Sequence, residues 1–126
     1  LDHFKKINDT YGHVMGDLVL KATAKKLQAT CRQGAQAFRF GGEEFAVIVP
    51  NCDFSIARRM AESMRSAIEK IAVKDKRSGK IVGDITASIG VAELTKDMNP
   101  LALIEQADKQ LYEAKRLGRN RVMPMT

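Results

Sequence analysis

Arg39-Phe40-Gly41-Gly42-Glu43-Glu44-Phe45 is the stretch on which the fold of this chain turns. Apolar residues alternate into it at Phe38 and Phe40 and out of it at Phe45, Val47 and Val49, the two-residue period of strands. The spacing predicts a hairpin closed by the glycine pair, which supplies the positive φ angles of a tight turn. Without side chains, the same glycines let another molecule come close to the backbone. Glu43 and Glu44 follow at once, and on a regular strand they would point to opposite faces. If the turn brings them together they repel one another, unless a divalent cation keeps both ionised as oxygen ligands. Taken alone, the seven residues fit that cation site and a hairpin with solvated edge charges equally well.

Composition narrows the function classes. The 126 residues suffice for one domain or part of one, with its own core. No apolar run approaches the roughly eighteen residues of a membrane span, and the opening Leu1-Asp2-His3 carries no signal-peptide pattern. The expectation is a cytoplasmic segment, with anchoring of a parent protein left open. Cys31 and Cys52 stand apart with no zinc-ligand spacing and read as reduced packing residues. The net charge of +6 favours an anionic partner. There is no Trp, only two Tyr, and no interleaving of aromatic with basic residues for stacking along a polymer. A nucleotide therefore fits better than a nucleic acid.

Residues 1–12, LDHFKKINDTYG, show no clear period and read as an irregular loop ending at Tyr11-Gly12. From Val14 to Cys31, Leu20, Ala24, Leu27 and Cys31 recur at helical spacing, with Asp17 expected in the first turn. A second helix is predicted over Phe54–Ile71, burying Ile56, Met60, Met64, Ala67, Ile68 and Ile71, with Arg58, Arg59, Arg65 and Lys70 on a solvated face. Lys74 to Lys80 reads as an exposed hairpin tip around Ser78-Gly79, and Ile85, Ala87, Ile89 and Val91 mark a strand. Asn99-Pro100 starts a third helix with Ile104, Ala107, Leu111 and Ala114 inward, Gly118 as its C-cap, and an extended segment from Arg121. Lys115 and Arg119 flank that helix end, where basic residues commonly answer the helix dipole. Helices alternating with a largely antiparallel sheet define an α+β, ferredoxin-like layered domain.

Three separated stretches together resemble the GGDEF family, the catalytic domains of diguanylate cyclases. They are residues 2–13 with Gly16-Asp17, the RFGGEEF hairpin, and Ala114-Lys115-Arg116-Leu117-Gly118-Arg119-Asn120. The resemblance covers nearly all of residues 1–126 and implies a single GGDEF domain lacking its N-terminal portion. It implies a polymerase-palm-like nucleotidyl cyclase fold with the N-terminal helix and first strand truncated. It further implies condensation of two GTP into cyclic di-GMP with release of two pyrophosphates, by two copies of the domain facing each other as a homodimer. On that resemblance Asn8 and Asp17 read the guanine edge, with Leu20 packing near the base. The backbone around His3 and Phe4, with Lys5, Gly42, Lys115 and Arg119, meets the phosphates. Glu43 and Glu44 are the catalytic acids and, with the Leu1 carbonyl, hold Mg²⁺ or Mn²⁺. An upstream sensory or receiver domain is expected in the parent protein, and nucleic acid is not a partner.

Two departures from the family pattern matter. The first Asp of its Asp-x-Asp-x-Phe-Lys pattern precedes Leu1, so these 126 residues alone are expected to bind GTP-metal poorly and turn over slowly. The family's Arg-x-x-Asp inhibitory pattern reads Arg32-Gln33-Gly34-Ala35, keeping the Arg and losing the carboxylate, so product inhibition is expected to be weak. The rival from another class is a non-catalytic domain that binds nucleotide or a protein partner and signals by conformation. A basic RNA-binding α+β domain rests on the charge alone.

Overall fold

The computed structural model describes residues 1–31 and 34–125; Arg32, and with it the remnant of the inhibitory pattern, lies outside them. The chain runs through α1 (Phe4–Tyr11), α2 (His13–Thr30), β1 (Gln36–Gly41), β2 (Glu44–Ile48), α3 (Phe54–Glu69), β3 (Val73–Lys74), β4 (Ile81–Val82), β5 (Ile89–Gly90), α4 (Pro100–Arg116) and β6 (Val122–Met123). This is an α+β architecture in which helices pack over short two-stranded pieces. β1–β2 and β3–β4 are antiparallel and β5–β6 is parallel.

The first twelve residues depart from the irregular loop expected of them. They form α1, whose inward side is Phe4, Ile7 and Tyr11, a helical spacing too short for periodicity alone to reveal. Gly12, at φ 91°, ends α1 and starts α2, a left-handed turn that a side chain would oppose. The two helices then cross closely. A Cβ built on Gly16 would lie 1.8 Å from Asn8 Oδ1 and 3.3 Å from Phe4, so the Asn8 carboxamide can rest where it does only over a bare glycine. Asp17 stands beyond the first turn of α2, so stabilisation of the helix start does not account for it.

The core joins α1, α2 and α3 to the strands through Phe4, Met15, Val19, Leu20, Leu27, Met64, Ile68, Val82 and Ile85. Each such fully buried side chain contributes about 1.5–3 kcal/mol of transfer free energy. The one buried hydroxyl on α2, Thr23, donates back to the Val19 carbonyl at 2.8 Å. The expected inner faces need correction at their ends: Ile56 and Ile104 are exposed, while Ala61 joins the core. Ile85 and Ala87 are buried as the alternation implies, but strand pairing extends only over Ile89–Gly90. α4 opens on Asn99, whose side chain accepts from the Ala102 N–H at 2.8 Å, with Pro100 in its first turn. It then lies directly on β5. A Cβ on Gly90 would come within 2.2 Å of the Ala107 carbonyl oxygen and 2.5 Å of the Leu111 nitrogen, so the close seat of α4 depends on a bare strand backbone.

Candidate functional site

The glycine hairpin differs in detail from the expected two-glycine turn. Gly41 ends β1, and the two turn residues are Gly42, at φ 45°, and Glu43. A register shift between Arg39 and Gly41 places one extra residue in β1, the bulge by which a strand re-aims its end next to a site. Glu44 then begins β2, and both glutamates are exposed. Among the described residues, no group of three or more His, Cys, Asp or Glu side chains clusters as a complete metal site.

The start of the chain meets this turn. The Leu1 nitrogen donates to the Glu43 carbonyl at 3.2 Å. The glycine turn and the first residue therefore meet at one point. Asp2 fixes that point in the fold. It is 4 % exposed; its N–H donates to the Thr86 carbonyl at 2.9 Å, and its carboxylate accepts from the Thr86 hydroxyl (2.8 Å), the Ser88 hydroxyl (2.7 Å) and the Asn120 N–H (3.1 Å). Three donors compensate a buried carboxylate that would be costly alone.

Directly after Asp2, His3 adopts a left-handed conformation (φ 55°) and α1 begins at Phe4 with no side-chain cap and no acidic residue in its first turn. The helix N-terminus thus presents uncapped N–H donors and the positive end of its dipole beside the basic Lys5 side chain, an arrangement suited to an anion. Lys115 lies in the last turn of α4, and Arg119 follows in a left-handed conformation (φ 65°) after Gly118 at φ 119°. Arg116 pairs with Glu113 at 2.7 Å, whereas among the described residues neither Lys115 nor Arg119 forms an ion pair. Both are exposed.

Between α2 and the hairpin opens a cleft of about 490 Å³, lined by Asp17, Leu20, Lys21, Ala24, Gln28, Ala37, Phe38, Arg39 and Phe45. Asp17 and Leu20 share this cleft, and Asn8 rests on Gly16, one residue before Asp17. Arg39 was not among the expected site residues. Strand alternation sets it on the same face as Ala37, and its Nε donates across the turn to the Gly42 carbonyl at 2.9 Å, holding the guanidinium at the mouth of the cleft. Its place within the hairpin stretch was the available signal. Asp2 was also missed, because its partners Thr86, Ser88 and Asn120 lie far away in sequence.

An uncapped helix start, a pair of acids on a glycine turn, exposed cations at the end of α4 and a cleft edged by a carboxylate make up the candidate site of this α+β domain. Comparison with known proteins makes this specific. The family model for "Diguanylate cyclase, GGDEF domain" matches residues 1–121, and the chain belongs to the GGDEF domain family. It is 57 % identical over 125 residues to diguanylate cyclase VdcA of Vibrio cholerae, covering 99 % of this chain and 37 % of that protein. It is 43 % identical over 123 residues to diguanylate cyclase A of Treponema denticola, covering 97 % of this chain and 32 % of the relative. The chain thus spans about a third of the length of these curated relatives. Among solved structures, the GGDEF domain of DgcB from Caulobacter crescentus in complex with c-di-GMP superposes with a TM-score of 0.91 at 38 % identity, covering 96 % of this chain and 71 % of that one. Diguanylate cyclase SiaD from Pseudomonas aeruginosa, solved with its activator SiaC, gives 0.90 at 33 % identity, covering 97 % and 46 %.

Proposed function

We propose that this chain is the catalytic region of a diguanylate cyclase that condenses two GTP into cyclic di-GMP. The observation that supports this best is the meeting of the glycine turn at Glu43 with residue 1, next to the uncapped start of α1, together with a cleft between α2 and the hairpin edged by Asp17. Asp17 and Asn8 read guanine: an ionised carboxylate accepts from the base N1–H and exocyclic amine, and a carboxamide offers both a donor and an acceptor. Leu20 packs against the base. The N–H groups at His3 and Phe4, with Lys5, Gly42, Lys115 and Arg119, hold the triphosphate and neutralise charge as the bond to pyrophosphate breaks.

Glu43, Glu44 and the Leu1 carbonyl are hard oxygen donors suited to Mg²⁺ or Mn²⁺. Bound there, the cation would supply charge stabilisation at the α-phosphate and the triphosphate tail. Glu43 or Glu44 takes the proton of the attacking 3′-hydroxyl. That hydroxyl belongs to the GTP on a second copy of the domain, so the working unit is a homodimer. The loss of the carboxylate at Ala35 leaves product inhibition at the Arg32 position weak, because a charged hydrogen bond contributes about 1.5–3 kcal/mol.

Among the described residues no helix is long and apolar enough to cross a membrane. We place the domain in the cytoplasm, where GTP is available, under an upstream sensory or receiver domain. The test is incubation of the full-length protein with GTP and Mg²⁺, followed by product identification. Cyclic di-GMP that disappears in Glu44→Gln supports the reading. A folded protein with no GTP affinity and no product overturns it.

A further inference from the structure

A continuous polar run crosses the molecule from the outer side of α3 to the start of α1, and Asn120 sits at its middle. The Asn120 backbone N–H donates to Asp2 Oδ2 at 3.1 Å. Its carboxamide is used at both ends: Nδ2 donates to Glu69 Oε2 at 2.6 Å, and Oδ1 accepts from Arg65 Nη1 at 2.9 Å. Arg65, with only 16 % of its side chain exposed, is held in turn by Glu69 at 3.0 Å and by Glu62, to whose oxygens its Nε donates at 3.0 Å. This is not the solvated arginine that the helical pattern of α3 suggested. At the far end, Asp2 binds Thr86 and Ser88.

Only an amide side chain satisfies this position. Asn supplies one donor for Glu69 and one acceptor for Arg65, where Asp would set two carboxylates against each other and Ser would offer a single short hydroxyl. The backbone adds a second requirement. Gly118, Arg119 and Asn120 take positive φ angles of 119°, 65° and 46° in succession, and Asn is among the few non-glycine residues that tolerate this.

Asn120 therefore holds two things at a fixed separation. One is Asp2, immediately before the uncapped start of α1; the other is its own neighbour Arg119. We infer that Asn120, clamped by Arg65, is a positioning residue for recognition of a nucleoside triphosphate's phosphate chain, setting the gap between the α1 N-terminus and Arg119. It touches neither substrate nor metal, and Arg65 acts through it. The inference rests on the proposed GTP reading, and it separates the phosphate end of the site from the cleft at Asp17, which shares no member of this run.

The test uses full-length protein and two probes, GTP with Mg²⁺ and guanosine, which lacks phosphates. Asn120→Gly keeps the left-handed backbone and the N–H to Asp2 while cutting the side-chain links. Arg65→Lys keeps a cation for Glu62 and Glu69 but loses the planar fork that also reaches Asn120. Each variant is expected to weaken GTP binding about tenfold with guanosine binding unchanged, and the double variant to be no worse than the weaker single, as for members of one network. KM for GTP should rise by a similar factor while kcat changes little. GTP binding unchanged in Asn120→Gly, a parallel loss of guanosine and GTP, or fully additive losses would each overturn the inference. Wild-type protein that binds neither probe would instead overturn the GTP reading on which it rests.

Discussion

Replacing Gly16 by alanine offers the sharpest single perturbation of the proposed base-reading end of the site. The added methyl would sit 1.8 Å from Asn8 Oδ1 and 3.0 Å from its Cγ, so the carboxamide must retreat by about 1.5 Å to reach ordinary contact. A hydrogen bond near 2.9 Å does not survive such a displacement. Losing one bond to guanine and leaving the base edge unpaired costs about 1–3 kcal/mol, which weakens GTP binding by roughly 5- to 150-fold. Helix propensity acts in the opposite direction, since alanine is favoured over glycine inside a helix by about 1 kcal/mol. Because the obstructing atoms belong to the end of a flexible side chain, the fold should absorb the change. Calorimetric GTP titration and thermal unfolding of Gly16→Ala are the assays, with Asn8→Ala and the double variant as controls. The double variant should bind GTP no worse than Asn8→Ala, since the methyl has nothing left to displace. Unchanged GTP affinity in Gly16→Ala, or additive losses in the double variant, would refute the reasoning.

Other substitutions probe the neighbouring parts. Gly90→Ala places a methyl 2.2 Å from the Ala107 carbonyl oxygen and 2.5 Å from the Leu111 nitrogen, and a helix backbone cannot swing aside as a side chain can. It should lower stability in urea denaturation by about 3 kcal/mol, at the upper end of overpacking costs. Arg39→Met retains the apolar stem in the cleft but removes the bond to the Gly42 carbonyl, and should raise KM for GTP about tenfold with thermal stability nearly unchanged. Acid sensitivity follows from Glu62 and Glu69. The Arg65 guanidinium holds the Glu62 carboxyl below the ordinary 4.5, and Asn120 followed by Arg65 does the same for Glu69. A depressed folded-state value means stabilisation that is present above the ordinary carboxylate range and lost as pH falls through the depressed one. The urea midpoint of the wild type should therefore drop more than that of Arg65→Met between about pH 6 and pH 3. Equal drops in the two proteins would show that the ion pairs contribute nothing to folding.

The hairpin, the long helices and the family resemblance were legible in the sequence. Phe45 and Val47 keep a two-residue period and pack against the core, though Phe38 and Phe40 are exposed; Asn99-Pro100 opens α4, Gly118 follows its last residues, and the Lys74–Lys80 tip is where the charged turn implied it. What failed was local and has local reasons. α1 is only eight residues long, below the length at which apolar spacing separates a helix from a loop, and it is held by packing of Phe4 on α2 rather than by propensity. Ile56 and Ile104 fit the apolar stripe of their helices but lie where the neighbouring layer does not reach, so periodicity overstates their burial. The turn moved by one residue because a bulge inserts Phe40, which no composition rule foretells.

By itself the sequence determined the family and which residues are put forward to carry chemistry. A glycine turn before two glutamates, a carboxamide and a carboxylate around a helix start, and a basic pair after a helix end are chemical statements that need no third dimension. Only the tertiary structure decided how they are held: Asp2 sunk among Thr86, Ser88 and Asn120, Arg65 turned inward to grip Asn120, and Gly16 kept bare under Asn8. The physical reason is that hydrogen bonding and close packing act over a few ångströms in space, whereas the partners they join lie up to 118 residues apart along the chain.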